Sequence, residues 1–339
     1  SAMGDFGLLG LSVPTEHGGL GLDAVTTARC VEALGRGCPS TGLVFSAAAH
    51  LFAAVMPIVE HGSDGQKAEL LPRLASGECI AANAITEAEA GSDVFALRST
   101  ARTEGDGVVI DGAKSYVTNG PVADLYVFYA TSDPSHGFMG VSAFAIPRDT
   151  PGLVVGKRFA KAGLHDSPIS SIYCESCRVP ETARIGRKGQ GAKVFTDSML
   201  WERACLFAAY LGVMERQLDA TVAYAQQRRQ FKRPIGKHQA VAHRIADMKL
   251  RLEAARLLLY RACWARDSGQ TAVMEVALAK LAISEGAVQS ALDAIQVHGG
   301  IGYTAESGVA EALLDAIPST IFSGTSEVQR NLVARELGL

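Results

Sequence analysis

Charge of one sign, aromatic rings, paired cysteines and long apolar runs are all scarce in this sequence, and each scarcity excludes something. Lys and Arg total 32 against 35 Asp and Glu, a formal net charge of −3. A chain without a basic excess lacks the electrostatic footprint of a nucleic-acid-binding protein. No run reaches the roughly 18 consecutive apolar residues that a membrane span needs. Cys30, Cys38, Cys79, Cys174, Cys177, Cys205 and Cys263 are odd in number and scattered, so they read as reduced thiols of a cytoplasmic protein. The start, Ser1-Ala2-Met3-Gly4, fits neither a secretory signal nor a lipidation site. Repeats and low-complexity tracts are also missing. What is present is a chain of 339 residues that is 48% hydrophobic, with 35 Gly and 6% aromatics. That composition describes an ordinary globular protein with many turns, too long for a single core.

The hydrophobic period changes twice along the chain. Residues 1–77 read as a helical domain, with apolar residues at helical spacing over Val25 to Leu34 and Ser46 to Glu60. Residues 78–187 carry short strand-like runs between turns, which predict a compact sheet or β-barrel. Residues 188–339 are helical again over Ala192 to Arg228, Gln239 to Asp267, Thr271 to Val297 and Ser326 to Leu337. Long helices with short links predict an antiparallel four-helix bundle. In the second of them Leu250, Leu252, Leu257, Leu258 and Leu259 are expected on one apolar stripe. The fold class is therefore α+β: helical domain, middle β-barrel domain, helical bundle.

Some motif matches lead nowhere. Gly19-Leu20-Gly21-Leu22-Asp23-Ala24 fits a dinucleotide fingerprint, but Pro14-Thr15-Glu16-His17 precedes it where a strand should lie. Cys174-Glu175-Ser176-Cys177 is a lone pair of thiols without a second one, and reads as two strand-end cysteines. His238 and His243 are five apart, the wrong spacing for a metal pair on one helix face. No metal site is expected.

Three segments do carry chemistry. Ile85 to Asp93 and Lys114 to Gly120 both place hydroxyls and free backbone amides beside small residues, a surface able to meet a flat heteroaromatic ring edge-on. Ordinary Ser/Thr/Asn/Gly turns share that composition. Arg228 to Gln239 is a basic stretch able to hold a pyrophosphate, or to sit in water as a solvated turn.

Together these resemble the acyl-CoA dehydrogenase family. Thr86-Glu87-Ala88-Glu89-Ala90-Gly91-Ser92-Asp93 resembles T-E-P-x-A-G-S-D, with Ala88 for the Pro. Tyr116-Val117-Thr118-Asn119-Gly120 resembles W-I-T-N-G. Arg228, Phe231 and Gln239 stand in the family's R-x-x-F…Q spacing. Asp293 to Tyr303 resembles D-x-x-Q-x-x-G-G-x-G-[FY], and Gly324 to Arg330 resembles G-T-S-[EQ]-x-Q-R. Lys161-Ala162-Gly163-Leu164-His165 and Arg178-Val179-Pro180 are similar to middle-domain motifs. The motifs run in order from about Phe6 to Leu339. Relative to the family the first helix is expected to be missing, since Gly7 to Pro14 normally lies some way into the chain.

The resemblance implies FAD between the β domain and the bundle. It carries Thr86, Gly91, Ser92, Tyr116 and Thr118 onto the flavin. It carries Arg228, Phe231, Gln239, Gln296 and Gly300 onto the pyrophosphate and adenosine of a neighbouring subunit's cofactor, with Thr325 and Glu327 completing the site. A shared cofactor implies a homodimer or homotetramer. The implied reaction is α,β-dehydrogenation of an acyl thioester, a carboxylate taking the α-proton as a hydride leaves the β-carbon, with electron-transfer flavoprotein or another acceptor downstream.

The commonest base position of the family, directly before the closing G-T-S, holds Ser323 here. A Ser hydroxyl is a poor base. Some members place the base in an L-E-R sequence on the first bundle helix, and Leu200-Trp201-Glu202-Arg203 stands at the matching distance before Gly212 and Arg228. Glu202 is accordingly the expected base. Arg203, about 100° round the helix, and Ser323 are expected at the substrate. The R-D-A that usually precedes the closing motif is Leu314-Asp315-Ala316. Trp201 and Tyr210 either shorten the acyl pocket or pack in the bundle. The Leu200 to Cys205 and Gly163 to Pro168 stretches resemble members from biosynthetic gene clusters, several of which act on acyl or aminoacyl groups held by a carrier protein instead of CoA. The alternatives are a flavin-dependent oxygenase of the same fold and a catalytically silent FAD-binding protein.

Overall fold

The computed structural model describes residues 2–339, with side chains from Met3 onward. After a short helical turn at Ala2–Asp5 come helices α1 (Ala24–Gly37), α2 (Thr41–Ala49), α3 (Met56–His61) and α4 (Asp64–Ser76). Strands β1 (Ala81–Ala84), β2 (Thr100–Glu104), β3 (Gly107–Thr118), β4 (Leu125–Thr131), β5 (Val141–Pro147), β6 (Leu153–Arg158), β7 (Ile169–Pro180) and β8 (Arg184–Ile185) follow. Helices α5 (Gly191–Trp201), α6 (Ala208–Gln227), α7 (Gln239–Asp267), α8 (Val273–His298) and α9 (Ser326–Glu336) complete the main elements. They form two compact units. One comprises Ser1–Asp23, Phe45–Lys161 and Asp166–Glu202; the other comprises Ala24–Val44, Ala162–His165 and Arg203–Leu339. Helix α1 of the helical N-terminal stretch thus belongs with the bundle.

In the first unit the strands run β6-β7-β3-β2-β4-β5-β8, with β1 parallel to β4. Strand β4 is buried at every position, as its unbroken Leu-Tyr-Val-Phe-Tyr-Ala run anticipates for a strand covered on both faces. Ile110, Val117, Tyr126, Phe128, Phe144, Ile146 and Ile172 form the core around it.

The apolar run Ser46 to Glu60 predicts one regular helix. The chain is helical there, but a π-turn over His50–Val55 separates α2 from α3. Pro57 supplies the reason: it has no N–H to return to the carbonyl four residues back. The run Thr41–His61 is long and apolar enough to cross a membrane. In this fold it is a core helix, with every residue from Leu51 to Ile58 buried. Its His50 is buried too, accepting at Nδ1 from the Ala81 amide (2.9 Å) and reaching the Leu74 carbonyl with Nε2 (3.1 Å). The neutral Nε2–H tautomer satisfies both contacts.

In the second unit α1 crosses α6 at two glycines. A Cβ on Gly35 would fall 2.1 Å from the Ala209 carbonyl oxygen, and one on Gly212 would fall 2.1 Å from that of Glu32. The expected single leucine stripe on α7 is instead split. Leu252 and Leu259 are buried, whereas Leu250 and Leu257 are 68% and 70% exposed. Positions two apart lie about 200° round a helix, so the two pairs face opposite sides. Trp264, a further seven residues on, continues the exposed row.

Burial lowers the His50 imidazole to about 4. Below its ordinary value of 6.5 the unfolded chain takes up a proton there that the folded chain refuses. The stability from this residue is therefore present above pH 6.5 and lost as the pH falls towards about 4. We expect urea midpoints to drop by the equivalent of about 3 kcal/mol over that interval, and a His50→Gln variant, less stable at neutral pH, to lose this component of the slope.

Candidate functional site

The first two motifs are bonded to one another. Glu87 is buried and accepts from Lys114 Nζ (2.7 Å), the Ser99 hydroxyl (2.6 Å), and the amides of Arg98 (2.6 Å) and Ser99 (3.0 Å). The Lys114 ammonium, fully buried, also donates to the Ile85 carbonyl (3.1 Å) and lies 5.0 Å from the Phe128 ring centroid. Beside it the Ser115 amide donates to the Thr86 carbonyl at 2.8 Å. Burial by itself would raise the Glu87 carboxyl, but the Lys114 charge and the hydroxyl and amide donors outweigh it and hold it below its ordinary value. Burial pulls Lys114 down to about 8 against the pull of Glu87. Both groups are thus charged at neutral pH.

Directly after Lys114 the β3–β7 register shifts, Lys114 pairing with Ile172 and Val117 with Ser170. Such an irregularity re-aims side chains. Tyr116 takes a left-handed backbone (φ 57°), and its ring is 65% exposed, 5.5 Å from that of Phe159. Asn119 is also left-handed (φ 64°) and is pinned to Ser46 by two hydrogen bonds, Ser46 Oγ to Oδ1 (2.8 Å) and Nδ2 to the Ser46 carbonyl (2.9 Å). Thr86 and Thr118 are half-buried; Gly91 and Ser92 are exposed, and a Cβ at Gly91 would meet nothing within 4 Å.

The second unit brings Arg228, Phe231, Gln239, Gln296 and Gly300 to one bundle end, whereas Thr325 and Glu327 follow Ser323, which Arg203 holds near the start of α6. Arg228 caps α6, and the short Arg229–Gln230/Arg233–Pro234 hairpin holds Phe231 at its turn with φ 49° and 88% exposure. Gln239 opens α7. Tyr224 stacks on His298 (centroids 4.2 Å apart), which places the end of α8, with exposed Gln296 and Gly300, beside the end of α6. Thr325 caps α9, accepting from the Val328 amide at 3.3 Å. Exposed Glu327 is held below its ordinary value by its own amide and the Thr325 hydroxyl. Asp293 opens its motif but is buried and bound by Arg244 and Arg251 of α7.

These features fit FAD. The first unit offers an exposed aromatic ring beside hydroxyls and an open glycine, together with the buried Ser170 hydroxyl, which has no hydrogen-bond partner among the described residues. The second offers an exposed guanidinium, amide and phenyl ring around another open glycine, Gly300. Of the non-glycine residues with left-handed backbone, Tyr116, Asn119, Phe231 and Ser323 lie in or directly beside these motifs, the kind of strain that functional sites retain.

The helix expected over Ala192 to Arg228 is broken where Glu202 stands. A π-turn over Glu202–Leu206 separates α5 from α6 without any Pro or Gly to announce it, and π-turns often mark functional sites. Glu202 is buried, 8% exposed. Tyr129 is wholly buried; burial and then the Glu202 charge raise its phenol against the opposing pull of Ser198. The two expected substrate contacts meet each other: Arg203 Nε donates to the Ser323 carbonyl at 2.8 Å, and Gln329 Nε2 reaches the same oxygen at 3.2 Å. Asp315 accepts from the Leu164 amide (2.5 Å), and its own carbonyl accepts from the Tyr210 hydroxyl (3.0 Å). Tyr210, packed against Phe207 and Phe322, is therefore a core residue. Trp201 is one too, stacked on Phe52 and donating to Glu60.

Sequence reasoning missed the Glu87–Lys114 pair, although a Lys placed among the buried positions of a strand was its signal. It also missed Glu60, His61 and Asp197, whose ligand-type atoms gather within 4.8 Å of one another. Lys193 (2.6 Å from Asp197) and Trp201 (2.6 Å from Glu60) engage those carboxylates. Cys174 and Cys177 are buried free thiols in β7.

Comparison with known proteins gives family matches over the whole chain: the acyl-CoA dehydrogenase N-terminal domain at residues 1–78, middle domain at 82–177 and C-terminal domain at 189–338. The chain is 53% identical over 337 residues to an L-prolyl-[peptidyl-carrier protein] dehydrogenase of Pseudomonas fluorescens, covering 99% of this chain and 89% of the relative. A crystal structure of the prolyl acyl carrier protein oxidase AnaB is 43% identical, with TM-score 0.98, covering 100% of this chain and 89% of that one. A structure of PigA with FAD and proline is 46% identical, with TM-score 0.98, covering 100% and 88%.

Lys114→Met leaves Glu87 buried without its counter-charge. We expect it to destabilise the protein by about 3–5 kcal/mol in urea unfolding, and to weaken flavin retention on a desalting column.

Proposed function

Because the chain belongs to the acyl-CoA dehydrogenase family, FAD-dependent oxidoreductases that dehydrogenate acyl thioesters, we propose as its particular substrate an L-prolyl group held as a thioester on a peptidyl-carrier protein, with Glu202 as base. The observation that carries the substrate reading is the 53% identity, over 99% of the chain, to a dehydrogenase of that substrate. The base reading is supported by a buried carboxylate at the head of a π-turn, in a chain whose usual base position is Ser323.

FAD, when bound, supplies the hydride acceptor; the protein supplies alignment and electrostatics. Thr86, Gly91, Ser92, Tyr116 and Thr118 form the flavin surface of the first unit. Arg228, Phe231, Gln239, Gln296 and Gly300 form the surface for the pyrophosphate and adenosine of a neighbouring subunit's cofactor in a homodimer or homotetramer, and Thr325 and Glu327 complete the cofactor site. Glu202 takes the α-proton of the prolyl thioester. Its burial favours that task by keeping bulk water away from the proton transfer. Arg203 and Ser323 line the substrate side as a bonded pair, the guanidinium fixing the Ser323 loop. The acceptor downstream is electron-transfer flavoprotein or, as the oxidase name of AnaB suggests, oxygen. Seven cysteines that are all free thiols support a reducing, cytoplasmic setting.

The test is anaerobic bleaching of the flavin. L-prolyl-carrier protein should bleach it, while the free CoA ester and butyryl-CoA should act far more slowly. Bleaching by acyl-CoA alone overturns the substrate reading. Reduction by NADPH alone returns the oxygenase, and no response to any donor returns the silent protein. Glu202→Gln should bind the thioester and bleach at least ~100-fold more slowly, the scale of a lost general base.

A further inference from the structure

We infer that Trp201 is a positioning residue for Glu202, an inference that rests on the reading of Glu202 as the base. Trp201 is the last residue of α5, and the next residue opens the π-turn. In a π-turn the regular i→i−4 ladder lapses. The direction of the first side chain in it is then set by whatever holds its neighbours. The amide of Glu202 still donates to the Ser198 and Met199 carbonyls, so α5 ends there as a cap. The indole adds a side-chain hold on that end.

It is held in two ways. Its face stacks on Phe52 with centroids 6.4 Å apart and planes within 9°. Its Nε1–H donates to Glu60 Oε1 at 2.6 Å. Phe52 belongs to the other π-turn, and Glu60 to α3. One helical turn earlier Asp197 meets His61 of α3 at 2.8 Å. Helix α5 is thus latched to α3 at two successive turns, and the second latch is the residue bonded to Glu202. Packing on Phe52 needs only a six-membered ring. The indole N–H adds one charge-assisted hydrogen bond to a carboxylate, which sets ring orientation as well as burial.

Misplacing a reacting group by about 1 Å can cost on the order of 100-fold in rate. The experiment compares Trp201→Phe, Glu60→Ala, Glu60→Gln and Glu202→Gln in the holoenzyme. It follows anaerobic bleaching, and also the loss of an α-deuteron from the thioester with the flavin held reduced, which reads proton transfer without oxidation. Trp201→Phe and Glu60→Ala should each lower kcat and deuteron loss by at least ~10-fold, with KM unchanged within ~2-fold. Glu60→Gln, which keeps an oxygen acceptor, should recover most of the rate. If Trp201→Phe and Glu60→Ala lower only the melting temperature and leave both rates intact, Trp201 is structural and the inference is overturned. If Glu202→Gln keeps both rates, the base reading itself fails, and that result is distinct from the first.

Discussion

A lysine ammonium with no exposed surface, bonded to a buried glutamate, is the constraint on which the meeting of the first two motifs depends. Glu87 belongs to the segment after β1 and Lys114 to β3. The segment after β1 has no regular structure where it carries its hydroxyls, and β3 is irregular where it carries its own. The pair and the hydrogen bonds around it hold them side by side. Because the carboxylate receives four donors, the cost of burying charge is shared among bonds that a loop would otherwise leave to water. The bulge that follows Lys114 then turns Tyr116 outward. A buried charged anchor thus stands beside a strained, exposed ring.

The same economy recurs in the helices. Each π-turn inserts an irregularity into a buried apolar run, and each places a polar residue at its start: His50 in one, Glu202 in the other. His50 remains neutral and ties α4 to β1 through two backbone groups. Glu202 is set in the shell of Ser198, Tyr129 and Trp201. Both depend on surroundings that a regular helix would have presented differently.

Much of this was legible in the residues. The change of period near residues 78 and 188 marked where strands begin and end, because alternation and helical spacing are visible in one dimension. The ordered motifs pointed to FAD for a similar reason: each is a local turn whose chemistry sits within a dozen residues. Contacts between distant segments were not legible. Nothing in Trp201 names Glu60 as its acceptor, and nothing in Arg203 names the Ser323 carbonyl. The leucines of α7 misled because adjacent leucines look like one stripe on paper yet point to opposite sides of a cylinder. The π-turn at Glu202 has no sequence mark at all, since an extra residue in a helical turn needs neither Pro nor Gly.

The chain holds 2 tryptophans, and their surroundings are opposites: Trp201 is 6% exposed and Trp264 is 57% exposed. Intrinsic fluorescence therefore divides into two reporters. A collisional quencher in solution reaches the α7 emitter, while the blue-shifted emission of the other comes from beside Glu202. The protein carries its own optical probe of that corner, with no label added.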